Sequence, residues 1–289
     1  MVCADHLHVV QIRLESSSHV HAFNISRRGF GILQWLLTPK TKLGESIMDY
    51  SINNIRKDEK GFTLVELAVV MIIIGLLIGG ILKGQELITN ARVTSTIAQM
   101  EGISGAYQDF RGQFNAIPGD YGNATTRIAD CTNCADGGGN GRIDNNLGAA
   151  MAAGDEAMNF YLHLLAAGYI TGMDGTANAT FGEGAPTASI GGGFSVGQYV
   201  PPAAPANFPG GIRPGLYITV QGVPGAMGAG NGVFTTVQAS GVDTRLDDGK
   251  PNTGSIVADT GNACADGAGA GADYDGDNLG IICSIAYRM

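Results

Sequence analysis

Positive charge is scarce in this chain. Its 289 residues carry 17 Lys and Arg against 26 Asp and Glu, and from residue 62 onward the balance is 9 against 20. Those cations stand singly, so there is no basic stripe to meet a phosphate backbone, and nucleic-acid binding is not expected from charge. Histidine is equally thin, with only His163 beyond residue 21. No phosphate-binding G-x-x-x-x-G-K-[ST] loop and no H-E-x-x-H helix is present. Gly193-Phe194-Ser195-Val196-Gly197 fits the G-x-S-x-G nucleophile pattern, yet that chemistry needs a histidine after the serine and none follows Ser195. In a chain with 45 glycines the match arises by chance. No catalytic residue is expected, and the chain reads as a non-enzyme.

What the chain does have is one long apolar run. From Phe62 to Leu82, 21 residues contain a single ionisable side chain, Glu66. At about 1.5 Å per residue a helix of that length covers roughly 31 Å, the thickness of a bilayer's hydrocarbon layer. Arg56, Lys57 and Lys60 precede the run and Lys83 follows it, a bias that keeps the N-terminal side in the cytoplasm and puts the bulk of the chain outside. A carboxylate within such a span costs on the order of 2.5–3.5 kcal/mol near the centre, and less toward the edge, unless a cation pairs with it. An ordinary signal anchor could let Glu66 reach the interface. A cleaved secretory signal fits less well still, because its apolar core usually runs only about 7–15 residues.

The segment Gly61-Phe62-Thr63-Leu64-Val65-Glu66-Leu67 resembles, at every position, the type III signal of type IV pilins and the related type II secretion pseudopilins. The resemblance implies cleavage between Gly61 and Phe62 by a membrane prepilin peptidase, which also methylates the new amine of Phe62. It further implies filaments whose core bundles these helices, with Glu66 of one subunit meeting the Phe62 ammonium of a neighbour. That pairing sets the axial stagger, because a buried ion pair is tolerated only where both partners are present. Homologous pilin subunits, the peptidase, a polytopic platform protein, a cytoplasmic ATPase and the inner membrane are the implied partners. The precursor is then a single-pass inner-membrane protein and its product an extracytoplasmic filament, in the periplasm or at the cell surface.

Residues 1–61 form the leader on this reading. Met1 to Ile47 hold His6, His8, His19, His21, Trp35 and Cys3; the two His-x-His pairs have no second ligand cluster near them in sequence. Leaders of this kind are short and basic, and Met48 begins one of that sort, so residues 1–47 are expected to reflect an over-long translation start.

Past Lys83 the pattern becomes one-sided: Val93, Ile97, Met100, Ile103, Tyr107 and Phe110 fall at steps of three and four. One helix is expected from Phe62 to at least Phe110, with 62–82 as membrane or filament core, 83–115 as its amphipathic half, and 116–289 as a globular head begun by Ile117-Pro118-Gly119-Asp120. Gly75, Gly79, Gly80 and Gly84 permit either close helix packing or local unwinding; the proline typical of pilins is absent there. Within the head, Asp155 to Ala167 reads as a helix facing the core with Met158, Tyr161, Leu162 and Leu165. Leu216–Val220, Val233–Gln238, Ser255–Ala258 and Ile281–Tyr287 read as strands, and Gly191-Gly192-Gly193 and Pro201 to Pro205 as surface loops. The fold class is α+β, a long N-terminal helix packed on a small antiparallel sheet, which the resemblance also implies.

Four cysteines follow the span, and extracytoplasmic placement lets disulfides persist. They permit three pairings; the resemblance implies Cys264 with Cys283, closing a C-terminal loop as in many pilins, which leaves Cys131 with Cys134. A zinc half-site at Cys131 and Cys134 lacks two ligands, and His163 is the only histidine beyond the leader. Three acidic segments have oxygen donors suited to Ca²⁺ on glycine turns: Asp136, Asn140 and Asp144; Asp243, Asp247 and Asp248; and Asp273, Asp275 and Asp277. Similar pseudopilins carry calcium in a C-terminal loop, which favours the latter two. No cofactor is required. The retained Glu66 and long Gly-rich loops lean toward a minor pilus subunit, with a secretion pseudopilin as the alternative and a non-polymerising surface binding protein as the third.

Overall fold

The computed structural model describes residues 61–201, 208, 212–224, 227, 230–259, 264–267, 269, 271–277 and 280–289. The leader up to Lys60, and Pro202 to Pro205 of the proline-rich loop, lie outside these residues. The chain divides into two units, Met1–Thr63 and Leu64–Met289. Of the first, Gly61, Phe62 and Thr63 are exposed and outside regular structure.

The second unit begins with α1, Leu64–Phe114, 51 residues long and so about 76 Å. It contains no proline and runs unbroken through Gly75, Gly79, Gly80 and Gly84. The helix stops where Asn115 takes a left-handed φ of 52° and donates its N–H to the Arg111 carbonyl at 2.9 Å, three residues before Pro118. Every buried residue of α1 lies from Val93 onward, and the six apolar residues of the expected stripe are all among them. The helix is thus welded to the head along its second half only.

Two short helices follow, α2 (Ala124–Arg127) and α3 (Glu156–Ala166). α3 packs against both α1 and the first strand. It is covered all round from Ala157 to Leu164, where a single core face had been expected, and Leu165 is only half-buried. The strands are β1 (Gly193–Tyr199), β2 (Gly215–Gln221), β3 (Phe234–Thr235), β4 (Ile256–Ala258), β5 (Ile281–Cys283) and β6 (Ile285–Arg288), with α4 (Thr236–Leu246) between β3 and β4. A four-stranded antiparallel sheet runs β1-β2-β6-β4, and β3 pairs with β5 in a second small ladder. Register is set by Phe194 opposite Val220, Ile218 opposite Tyr287 and Val257 opposite Ala286.

Side chains alternate across the sheet as a pleat requires. Ile218, Val220, Ile256, Ala258 and Ile285 join the main core with α1 and α3. Tyr217, Val257 and Ala286 point to the other face, where Leu147, Phe208, Ile212 and Met227 cover them. Both faces are therefore shielded from water.

The architecture is α+β, with a long apolar helix and a small antiparallel sheet, but three local expectations need correction. Val233–Gln238 is not one strand: pairing ends at Thr235 and a helix begins. The Thr235 hydroxyl accepts from the Gln238 N–H at 3.2 Å while the Gln238 side chain accepts from the Thr235 N–H at 2.9 Å, a reciprocal cap that outweighs the β-branched run. Ile281–Tyr287 is split at Ser284, so β5 and β6 serve different sheets. Gly193 belongs to a buried strand, not a surface loop, and Ser195 sits in extended backbone at 2 % exposure, far from the sharp strand-to-helix turn of a nucleophile elbow.

Candidate functional site

The first candidate is the exposed start of α1. From Leu64 to Ile88 its large apolar side chains stand in the open, Leu64 at 87 % and Leu76 at 74 %. Fully covering one such side chain is worth about 1.5–3 kcal/mol, so this surface left in water costs tens of kcal/mol. It demands lipid or other helices around it. By length and composition α1 can cross a membrane, and its spanning window has no covering inside the head. Glu66 lies in the first turn, where a carboxylate complements the partial positive charge of a helix N-terminus. Among the described residues, none has an atom within 4 Å of where a Cβ on Gly61 would sit.

A second constellation locks the head where α1 ends. Gly119 has φ +88°, and a Cβ there would fall 2.3 Å from the Glu156 carbonyl oxygen. A Cβ on Gly137 would meet the Gly119 carbonyl oxygen at 2.2 Å. Only glycine fits at either place. Around them, the buried Asp120 carboxylate accepts from the N–H groups of Asn140 at 2.9 Å and Gly141 at 2.7 Å. Glu156, at the start of α3, accepts from the N–H groups of Gly138 at 2.7 Å and Asp144 at 2.8 Å. His163 is fully buried; its Nδ1 accepts from the Gly119 N–H at 2.9 Å, and Nε2 lies 2.9 Å from the Ala135 carbonyl oxygen. Because an N–H can only donate, the Gly119 bond places the ring proton on Nε2, which then donates to Ala135. Burial holds His163 below the usual histidine range, opposed by the Ala135 bond and the Asp136 charge.

The first acidic segment is absorbed into this framework. Asp136 accepts from the backbone and hydroxyl of Thr125, contacts that lower its pKa, and Asp144 is lowered by its bonds to Arg142 and Asn140. The segment Asp273, Asp275 and Asp277 does not converge either: Asp273 pairs with Lys250, and Asp275 accepts from the Asp277 N–H. Asp243, Asp247 and Asp248 do converge, with one oxygen from each within 4.8 Å of the others, at the C-terminal end of α4. Asp243 is fully buried, accepting from the Tyr274 hydroxyl at 2.8 Å and the Gly249 N–H at 3.1 Å; burial pushes its pKa up to about 6. Asp247 accepts from the N–H groups of Ser255 and Ile256, and Asp248 from those of Lys250 and the Thr253 hydroxyl. All-oxygen donors of this kind suit a hard divalent cation.

Cys264 is joined to Cys283 and Cys131 to Cys134. The first pair is fully buried and anchors β5, whereas the second is half-buried on a loop. The fold brings an imidazole nitrogen of His163, the only histidine beyond the leader, within 4.8 Å of both sulfurs of Cys131 and Cys134. His163 lies 29 and 32 residues from Cys134 and Cys131 in sequence, and a separation of that length names no partner.

Compared with known proteins, residues 56–82 match a family model described as the prokaryotic N-terminal methylation motif. Neither curated proteins nor solved structures gave a match to the chain. The chain therefore carries the signature of type IV pilins and pseudopilins at the start of its long helix. That signature implies processing by a prepilin peptidase and assembly into filaments, and it points to a structural protein.

Proposed function

We propose that this chain is a prepilin whose mature form, beginning at Phe62, polymerises as a minor structural subunit of a type IV pilus or pilus-like filament. The observation that carries the reading is the union of the methylation motif at 56–82 with an apolar helix that is bare from Leu64 to Ile88. A surface that costs tens of kcal/mol in water is satisfied first by lipid and then by sister helices. On this reading residues 1–61 are the leader, 62–82 the filament core, 83–115 the helix half that carries the head, and 116–289 the sheath. Glu66 pairs with the Phe62 ammonium of a neighbour. Mass spectrometry of the purified filament fraction tests this: the N-terminal peptide should begin at Phe62 and carry one methyl group. A chain that keeps its leader is a membrane-anchored surface protein that never polymerises.

A secretion pseudopilin is the second reading, favoured by the convergence of Asp243, Asp247 and Asp248 in the C-terminal third. On that reading the cluster takes Ca²⁺, with Asp243 giving up its proton on binding. Calcium titration followed by calorimetry, with Asp248→Ala as control, should raise the wild-type unfolding temperature only.

A further inference from the structure

The two disulfides differ in everything that governs exchange. Cys264 and Cys283 are 0 % exposed and joined across 19 residues. Cys131 and Cys134 are half-buried, three residues apart, and Cys134 lines a surface pocket of about 220 Å³ shared with Asp130, Asn133, Leu162 and Asp174. A bridge across so short a loop draws the least stabilisation from loop closure. A disulfide open to solvent is also the kind that a thiolate can reach, since exchange depends on access to one sulfur. C-x-x-C spacing has two established chemistries, soft-metal binding and thiol–disulfide exchange. The structure disfavours the metal. Both nitrogens of His163 are already engaged, Nδ1 by the Gly119 N–H and Nε2 by the Ala135 carbonyl, so ligation must break one of these bonds.

We propose that Cys131–Cys134 is a thiol–disulfide exchange site, reduced by a dithiol partner and re-formed by the disulfide form of such a partner, while Cys264–Cys283 stays closed. A thiolate of the partner dithiol enters the pocket and bonds to Cys134 Sγ. The Cys131–Cys134 bond breaks, its electron pair leaves with Cys131 Sγ, and that thiolate takes a proton from water. The partner's second thiol then attacks its own mixed-disulfide sulfur and releases Cys134 as a thiolate. The chain gains two electrons and the partner is oxidised to its disulfide. Asn133, whose side-chain amide donates to the Gly175 carbonyl at 2.9 Å, holds the loop on the pocket wall throughout. The acidic residues Asp130 and Asp174 beside the pocket suit a partner with a neutral or basic face.

The test uses the full-length wild-type chain in detergent, equilibrated with graded ratios of reduced to oxidised dithiothreitol, acid-quenched, alkylated and read by peptide mass spectrometry. Cys131 and Cys134 should label at a ratio at least tenfold lower than Cys264 and Cys283, with the near-ultraviolet circular dichroism unchanged. Opening of both pairs together, or of Cys264–Cys283 first, overturns the proposal. A thioredoxin-type dithiol protein lacking its resolving cysteine provides the second measurement. A trapped adduct on Cys134 is expected, and an adduct on Cys264 or Cys283 alone refutes it.

Discussion

Replacing His163 tests how the head is locked to the end of the long helix. Leucine at this position keeps the volume but leaves the Gly119 N–H without its acceptor and the Ala135 carbonyl without its donor. The Gly119 group is buried, and such a loss costs about 1–3 kcal/mol; the Ala135 carbonyl, nearer to water, adds about 0.5–1.5 kcal/mol. His163→Leu should therefore destabilise by about 2–4 kcal/mol, roughly 5–12 °C in unfolding temperature for a head of this size. Glutamine offers both an acceptor and a donor, so His163→Gln should recover at least half of the loss. The pH dependence is separate. Burial lowers the native pKa, so as pH falls below about 6.5 the unfolded chain takes up the proton first and stability declines. By pH 6 this decline reaches at most about 0.8 kcal/mol, the limit for a native imidazole that stays neutral. Urea unfolding of the full-length protein in detergent, followed by near-ultraviolet circular dichroism between pH 8 and 6, measures both effects. A leucine variant within about 0.5 kcal/mol of wild type, or a glutamine variant that keeps the wild-type pH slope, would refute the reasoning.

Three further outcomes are expected. Glu66→Gln should be cleaved at Gly61 like wild type yet enter filaments at least tenfold less when both are expressed together, read from their peptides in the sheared-filament fraction. Asp243 runs opposite to His163: its native pKa of about 6 lies above the unfolded value, so its contribution is full below about pH 3.8 and lost as pH rises through 6. Asp243→Asn should therefore be at least as stable as wild type at pH 8 and no more stable at pH 4, by denaturation midpoint. Asp120→Ala strips the acceptor from two backbone N–H groups and should cost about 3–6 kcal/mol in urea, at about 1.5–3 kcal/mol per bond to a charged group.

Where a single physical signal dominated, the chain could be read directly. Val93, Ile97, Met100, Ile103, Tyr107 and Phe110 repeat with helical period over a long stretch, and every one is buried. Phe62 to Leu82 reads as long and apolar enough to cross a membrane, and the helix that carries it stands bare over this stretch. Short elements were harder. Phe234 to Leu246 begins with Phe234-Thr235-Thr236-Val237, residues that favour strands, and only the Thr235–Gln238 spacing announces a helix. Gly193 to Tyr199 carries two glycines and so lacks strand character of its own; its pairing with β2 supplies what propensity does not. The His163 constellation was illegible for another reason. It joins residues from 119 to 163 through backbone groups, and a backbone donor leaves no mark in a sequence. The likeness to pseudopilins favoured the two later acidic segments over the first, and among the described residues Asp243, Asp247 and Asp248 are the acidic set that converges, because helix α4 brings the first within reach of the other two.

Strand β6 lies in the middle of its sheet, bonded to β2 on one side and β4 on the other, although it comes last of the four in chain order. Residues 215–221 and 256–258 must therefore wait for residues 285–288 before they acquire their proper neighbour. On the reading proposed above, α1 would already be lodged in the bilayer while the head is still an open template, and the sheet closes only when the stretch around Tyr287 slots between Tyr217 and Val257.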